Sequence, residues 1–216
     1  MLKILITAGP TREAIDPVRF ITNHSSGKMG YALAEAAVKK GFQATLISGP
    51  VNLTPPDGLA DFVPVISAAE MAEAVTLRFA DMDAVIMCAA VADYRPVSYS
   101  DSKIKKKDGH LFLELERTED ILKTLGCRKK SHQTLIGFAA ETDHLATYAR
   151  EKLQKKNLDW IVANQVGKPG QGFQADTNAV TLYSAQNEQP LEIPLCSKKL
   201  LAEKILQKIF PDHHIL

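Results

Sequence analysis

The sequence lacks three features that would place a protein in a narrow class: paired cysteines, a long apolar run and an excess of one charge. Its three cysteines, Cys88, Cys127 and Cys196, have no C-x-x-C spacing, which argues against a disulfide framework and predicts a reducing compartment. No segment reaches the roughly 20 apolar residues of a membrane span, and the N-terminal apolar run ends too soon for a signal peptide. A net charge of +1 gives no field that would attract nucleic acid or a membrane surface. We therefore expect a cytoplasmic protein that binds neither nucleic acid nor membrane.

The composition is that of an ordinary globular protein. Of the 216 residues, 45% are hydrophobic and 24% are charged. A chain of this length buries enough surface to fold without a disulfide or a metal. Since no internal repeat or low-complexity linker interrupts it, we predict one domain over residues 1–210, with a flap at about 95–117 and a tail at 211–216. Two adjacent histidines in the tail, His213 and His214, lack the fixed geometry of a metal site, so we predict no metal ligands.

Apolar runs alternate with helical periodicity along the chain. Runs typical of buried strands cover residues 2–8, 44–48, 84–90, 134–140 and 158–163. Between and after them lie helical patterns: one begins at Met29 and is closed by Gly41, and the others cover 67–79, 119–125, 143–156 and 197–210. Residues 179–184 and 191–194 indicate a C-terminal hairpin, and alternation at 111–116 indicates an exposed strand in the flap. This order predicts an α/β fold with a doubly wound, Rossmann-like, mostly parallel sheet.

In doubly wound sheets, ligands bind outside the carboxyl ends of the strands. That rule selects segments 8–28, 49–56, 88–107 and 138–142. The dinucleotide fingerprint G-x-G-x-x-G fails here, because its glycines are separated by a long insertion and the second strand ends without an acidic ribose ligand. A P-loop fails as well, since Thr22 stands where its first glycine belongs and Met29 where its magnesium-binding hydroxyl belongs.

The start of the first helix leaves two interpretations open. Ser25, Ser26, Gly27 and Lys28 lie where free backbone N–H groups and the helix dipole favour a phosphate. An ordinary serine N-cap explains the same residues equally well. An NAD(P)-dependent reductase on this type of fold therefore remains an alternative function, and so does a nucleotide-sensing module without catalytic activity.

Three segments, taken in order, resemble one family. The first is T-A-G-P-T-R-E-A-I-D-P-V-R-F-I-T-N-H-S-S-G-K-M-G at 7–30. The second is C-A-A-V-A-D-Y-R at 88–95, followed by K-I-K-K at 103–106. The third is G-F-A-A-E-T at 137–142, followed by K-K-N-L-D-W-I-V-A-N at 155–164. Together they resemble phosphopantothenoylcysteine synthetase, the synthetase half of a bacterial bifunctional flavoprotein, over nearly the whole chain.

The resemblance implies a ligase that uses CTP, with Mg²⁺ accompanying the triphosphate. The carboxylate of 4′-phosphopantothenate would attack the α-phosphate of CTP, giving an acyl-cytidylate and pyrophosphate. The amine of L-cysteine would then displace CMP and form the amide. The resemblance also implies a homodimer in which a flap of one subunit helps to close the site of the other, and a possible flavin-dependent decarboxylase as partner.

The resemblance also implies roles for individual residues. Asn23 and Lys103 would be catalytic, the first in processing the acyl-cytidylate and the second in stabilising charge during its formation. Arg19, Asn23 and Ala90 would bind the acyl substrate, with Arg19 reaching across the dimer. The nucleotide would be bound by a larger set: Met87, Cys88, Ala89, Asp93, Lys103, Glu119, Asp120, Ile121, Leu122, Phe138, Lys152 and Lys156.

Each of these residues also has an ordinary structural explanation. Asn23 and Asp93 are turn formers, a phenylalanine at a strand end such as Phe138 is usually core, and lysine runs are usually solvated. Residues 118–121 read T-E-D-I where bacterial members commonly carry N-P-D-I, so backbone contacts are expected to carry the interaction there. Cys88 has no paired base and is not proposed as a nucleophile.

Overall fold

A computed structural model of the protein describes residues 1–106, 108–141, 145–165, 172 and 174–212. Several predictions fall outside these residues: Lys107 at the end of segment 88–107, Thr142 at the end of segment 138–142, the helix start at 143–144, and His213 and His214 of the tail. The division into one domain and a tail stays a prediction. Among the described residues, no helix combines the length and the apolar character needed to cross a bilayer.

The described residues form twelve strands and five helices. The strands are β1 (Lys3–Ala8), β2 (Arg12–Ala14), β3 (Phe20–Thr22), β4 (Gln43–Ser48), β5 (Asp61–Pro64), β6 (Ala84–Met87), β7 (Tyr94–Pro96), β8 (Leu115–Arg117), β9 (Thr134–Glu141), β10 (Trp160–Gln165), β11 (Thr177–Ser184) and β12 (Leu191–Ser197). The helices are α1 (Lys28–Lys39), α2 (Ala68–Phe79), α3 (Ile121–Arg128), α4 (Leu145–Lys155) and α5 (Lys198–Ile209).

Eight of the described strands form one sheet in the order β5-β4-β1-β6-β9-β10-β11-β12. The first six of these are parallel, and β11 runs antiparallel to both β10 and β12. The six parallel strands thus follow the doubly wound order 3-2-1-4-5-6, which reverses direction between β1 and β6. The predicted fold class is confirmed, including the C-terminal hairpin.

Helices cover both faces of the sheet because the strand side chains alternate between two cores. In β1, Ile4 and Ile6 pack in the cluster that contains the buried residues of α1 and α5. Leu5, which points to the other face, packs in the cluster formed with α2, α3 and α4. Both faces of β1 are therefore buried, which explains its unbroken apolar run.

Three local predictions need correction. The apolar run 84–90 does not stay in the sheet, because the backbone N–H groups of Cys88 and Ala89 turn to donate to the Thr7 hydroxyl and β6 ends at Met87. The flap strand is Leu115–Arg117, paired with Tyr94–Pro96, rather than 111–116. The polar stretch after β1 contains the hairpin β2–β3, and β5 has no counterpart in the predicted elements.

Candidate functional site

A cavity of about 620 Å³ lies at the carboxyl ends of β6, β9 and β10, at the point where the strand order reverses. Its walls come from the segment after β3, the N-terminus of α1, the loop after β6 and the start of α3. Twelve of the fifteen predicted site residues line it: Asn23, Met87, Cys88, Ala89, Ala90, Asp93, Glu119, Asp120, Ile121, Leu122, Phe138 and Lys156. Three segments that are distant in sequence are thus brought to one concave surface.

Thr7 shapes the floor of the cavity. Its fully buried hydroxyl accepts the backbone N–H groups of Cys88 and Ala89, each at 3.1 Å. The Ala90 N–H then donates to the Gly9 carbonyl at 2.9 Å. These bonds pull the chain out of the sheet directly after β6, so that the loop 88–90 lines the cavity and does not extend the strand.

Asn23 enters the cavity from the hairpin side. Thr22, at the end of β3, donates its hydroxyl to the Thr11 carbonyl at 2.7 Å, which ties the hairpin to the loop after β1. The Asn23 amide then donates from Nδ2 to the Ala90 carbonyl at 2.8 Å. This contact places two predicted acyl-substrate residues, Asn23 and Ala90, side by side and fixes the plane of the amide.

The N-cap of α1 is Gly27 and not a serine. Gly27 has φ 77°, in the left-handed region, and supplies no side-chain cap to the helix. The N–H of Gly27 donates instead to Ser25 Oγ at 3.3 Å. Lys28 lines the cavity and donates from Nζ to Asp176 Oδ1 at 2.6 Å and to the Gln174 carbonyl at 3.1 Å. The serine N-cap interpretation is therefore wrong for this helix.

The opposite wall carries an ion pair between two helices. The Asp120 carboxylate caps α3 by accepting the Lys123 N–H at 3.1 Å. Its two oxygens also lie 2.9 and 3.0 Å from Nζ of Lys156, just after α4. Thr124 donates its hydroxyl to Glu119 Oε1 at 2.8 Å. These contacts hold three predicted nucleotide residues at the N-terminus of α3: Glu119, Asp120 and Lys156.

The cavity is also lined by residues outside the predicted set, among them Asn178 and Lys198. Lys198 is only 6% exposed and donates from Nζ to the Gly172 carbonyl at 3.0 Å. Loss of hydration lowers the pKa of Lys198, and the charge of Lys28 lowers it further. The sequence places Lys198 after the N-cap Ser197, where it resembles a solvated helix residue. Only the antiparallel return of β12 brings it to the cavity.

Three predicted residues, Arg19, Lys103 and Lys152, are absent from the described lining of this cavity. Arg19 forms an ion pair with Asp16 at 2.5 Å and donates from Nη2 to the Ile104 carbonyl at 3.1 Å. Lys103 is exposed on the long connection between β7 and β8. Lys152 lies on α4, one turn before Lys156.

The Cys88 thiol in the cavity is not activated, and no candidate metal cluster is found in the described part of the chain. Its histidine, cysteine and carboxylate side chains form no group of three that could hold a metal ion. Removal of the thiol from water raises the pKa of Cys88 to about 12, so it carries no thiolate at neutral pH. Lysines, side-chain amides and backbone groups line the cavity and can bind and orient anionic substrates.

Segment 49–56 contributes to a different hollow. This hollow, of about 800 Å³, lies between α1 and residues 53–57 and shares Lys28 and Lys198 with the cavity. The strand before it, β4, ends at Ser48, whose hydroxyl accepts from Tyr31 at 3.2 Å and donates to the Gly49 carbonyl. An acidic ribose ligand is thus missing from the end of β4, which weakens the reductase alternative.

Comparison with known proteins identifies the family. Residues 1–211 match the DNA/pantothenate metabolism flavoprotein C-terminal domain. The chain belongs to this family. It is 58% identical over 206 residues to the coenzyme A biosynthesis bifunctional protein CoaBC of Bacillus subtilis, covering 95% of this chain and 50% of that protein. It therefore spans about half the length of the curated relatives it matches.

Two solved structures agree with this family. A crystal structure of the C-terminal domain of a CoaBC protein has a TM-score of 0.81 at 49% identity, covering 96% of this chain and 93% of the other. The DNA/pantothenate metabolism flavoprotein of Streptococcus pneumoniae has a TM-score of 0.81 at 28% identity, with 97% and 98% covered. The family that the three sequence segments predicted is confirmed.

Proposed function

We propose that the chain is a phosphopantothenate–cysteine ligase that makes 4′-phosphopantothenoyl-L-cysteine from 4′-phosphopantothenate, L-cysteine and CTP. The observation that carries this proposal is the convergence of twelve predicted site residues on one cavity at the reversal point of the sheet. The names of the relatives, which place them in coenzyme A biosynthesis, support it. The choice of CTP among nucleotides rests on the resemblance of the sequence segments.

The cavity suits a nucleotide because its two ends carry cations and its floor carries backbone groups. Lys156 lies on the α3 side, and Lys28 and Lys198 lie on the α1 side. Fixed cations in a site closed from water stabilise the charge that builds up on a triphosphate during transfer. A magnesium ion, which prefers phosphate and water oxygens with one or two carboxylates, would enter with the triphosphate. Asp93, Glu119 and Asp120 are the carboxylates among the described lining residues of the cavity.

The reaction has two steps in this proposal. A carboxylate oxygen of 4′-phosphopantothenate attacks the α-phosphorus of CTP, and the bond to pyrophosphate breaks. The cysteine nitrogen then attacks the acyl carbon, the bond from that carbon to CMP breaks, and the nitrogen releases a proton. Asn23 is assigned to the second step, because its amide is held by the Ala90 carbonyl and offers an uncharged acceptor and donor to the acyl-cytidylate.

We also propose that the site is completed by a second copy of the chain. Arg19 and Lys103 are predicted to act on the substrates, yet neither is among the residues that line the cavity of their own chain. The flap and the segments beside it expose large apolar side chains, a pattern that marks an interaction surface. Examples are Tyr94, Val97, Tyr99, Leu111, Phe112, Leu113 and Leu115. A homodimer would bring the flap of one copy to the cavity of the other.

The proposal also includes a decarboxylase partner and a cytoplasmic location of the protein. The bifunctional relatives are about twice as long as this chain, which supports a decarboxylase domain or protein as partner. The cysteines Cys88, Cys127 and Cys196 are free thiols, which is consistent with a reducing compartment such as the cytoplasm.

The experiment that tests this function measures pyrophosphate release from CTP with magnesium and 4′-phosphopantothenate, with and without L-cysteine. The proposal predicts pyrophosphate release that depends on phosphopantothenate and CMP release that depends on cysteine. Asn23→Ala should lose CMP release, whereas Asn187→Ala, in the turn between β11 and β12, should not. A folded wild-type protein that releases no pyrophosphate from any nucleotide contradicts the proposal.

A further inference from the structure

A buried carboxylate outside the cavity connects the segment of Arg19 to that of Lys103. Asp16 is only 2% exposed. Its Oδ1 accepts the backbone N–H groups of Val18 at 2.9 Å and Arg19 at 2.8 Å, which closes the turn between β2 and β3. Its Oδ2 accepts from the Arg19 guanidinium, with Nε at 3.1 Å and Nη2 at 2.5 Å.

The same Oδ2 also holds a residue that lies 88 positions further along the chain. The N–H of Ile104 donates to Asp16 Oδ2 at 3.1 Å. The carbonyl of Ile104 accepts from Arg19 Nη2, also at 3.1 Å. Both peptide groups of Ile104 are therefore bound by one ion pair, and a third bond joins the Ser100 N–H to the Ile15 carbonyl at 3.1 Å.

A carboxylate that served only its own turn would not need the contact with Ile104. Turn closure is complete with Oδ1, because the Val18 and Arg19 N–H groups both end there. The second oxygen and the guanidinium are directed to the basic loop, which we define as residues 103–106. Ile104 lies between Lys103 and Lys105, so holding its two peptide groups fixes the backbone from which both lysine side chains extend.

We propose that Asp16 is a positioning residue: through Arg19 and Ile104 it holds the basic loop and the Arg19 guanidinium in one fixed arrangement. This inference rests on the proposed function, since Lys103 and Arg19 are the residues whose positions it sets. One carboxylate then orients two cationic groups on segments that are far apart in sequence. The Arg19 guanidinium holds the pKa of Asp16 well below its usual range, so the carboxylate stays charged at any physiological pH.

Two variants test the contact between Asp16 and Ile104, one at the carboxylate and one at the backbone N–H. Asp16→Asn keeps the size of the side chain but removes its charge. Ile104→Pro removes the N–H that donates to Oδ2 and leaves the Asp16–Arg19 pair in place. Asp101→Asn, an exposed carboxylate in the same connection, is the matched control. Hydrogen exchange of a peptide that spans residues 97–106 reports on the loop directly, and thermal unfolding shows that each variant is folded.

We expect exchange in this peptide to rise about tenfold or more in both variants, because a charge-assisted hydrogen bond is lost. Turnover should fall about tenfold with the KM for CTP little changed, since Lys103 is assigned to the transition state. Asp101→Asn should change neither quantity. Unchanged exchange in both folded variants overturns the proposal, and so does faster exchange with unchanged turnover. If the wild type itself shows no ligase activity, the proposed function fails, while the exchange result still decides whether Asp16 holds the loop.

Discussion

Lys198 is placed where a lysine is unfavourable. It is the first residue of α5, at the end of a helix where the dipole repels cations, and it is almost completely buried. Burial and the neighbouring Lys28 lower its pKa, so the charged form is destabilised in the folded state. Perturbed groups of this kind concentrate at sites that bind or react with ligands.

Lys198→Met is expected to raise the Kd for CTP about tenfold or more, because a buried cation is lost from the cavity. Since the folded state disfavours the charge, the free energy of unfolding at pH 7 should not fall by more than about 1 kcal/mol. Lys199→Met is the matched control and should bind CTP normally. The wild-type Lys199 side chain is exposed, and its Nζ lies 3.5 Å from Glu35 Oε2. Calorimetric titration and chemical denaturation measure the two quantities. Normal CTP binding by Lys198→Met would remove this residue from the site.

Cys88 and Cys127 offer a second test at the scale of single residues. Burial raises the pKa of the Cys88 thiol to about 12, whereas Cys127 is exposed at the end of α3. Iodoacetamide at pH 7.5 should therefore alkylate Cys127 well before Cys88, as followed by mass spectrometry of tryptic peptides. Cys88→Ala should keep its ligase activity, because no step of the proposed reaction uses the Cys88 thiol. Alkylation of Cys88 as fast as that of Cys127 would contradict the burial and the raised pKa of the Cys88 thiol.

At the scale of elements, the cavity depends on where α3 and α4 meet. Asp120 caps α3 and binds Lys156, so one carboxylate joins the start of one helix to the end of the other. Gly126 permits this contact, since a Cβ on it would lie 1.9 Å from the Lys156 carbonyl oxygen. The resemblance implied that Lys152 and Lys156 both bind the nucleotide, but of these two only Lys156 is among the described lining residues.

Lys156→Met should raise the KM for CTP about tenfold or more, because the charge nearest the α3 wall is removed. Lys155→Met is a closely matched control. Lys155 is the preceding residue, its side chain is 74% exposed, and it forms an ion pair with Glu151 on the outer face of α4. Steady-state kinetics with varied CTP should therefore separate the two variants. Equal KM values for both would show that Lys156 does not bind the nucleotide.

The whole molecule raises the question of which chain supplies Lys103 to a given site. If the flap acts on a second copy, Asn23→Ala and Lys103→Ala homodimers should both be inactive. A mixed dimer, purified with two different tags, would then contain one intact site and regain about half of the wild-type activity. If Lys103 instead serves its own chain, every site of the mixed dimer carries one substitution. Mixed dimers that form but stay inactive would therefore contradict the proposal.

The fold could be predicted closely from the sequence, because the patterns that specify its strands and helices each lie within a short segment of the chain. Buried parallel strands need continuous apolar runs. The helical patterns 67–79 and 197–210 begin at Ser67 and Ser197, which cap α2 and α5 by accepting the Glu70 and Leu200 N–H groups. Strand ends were harder to place. The run 84–90 is apolar throughout, and nothing in it marks the point after Met87 where Cys88 and Ala89 bind the Thr7 hydroxyl and the chain leaves the sheet.

The sequence by itself determined the α/β class and the family, and it predicted twelve of the residues that line the cavity, because these depend on residue types and their order along the chain. Only the tertiary structure added Lys198 to the lysines that line the cavity and showed that Lys103 and Lys152 are absent from its described lining. Lys28, Lys156 and Lys198 lie at the ends of three helices, whereas Asp16 binds Arg19 and Ile104, the residue after Lys103, outside the cavity. A solvated lysine and a buried one look alike in sequence. The difference lies in the long-range packing that brings a helix end to the cavity or keeps it in water.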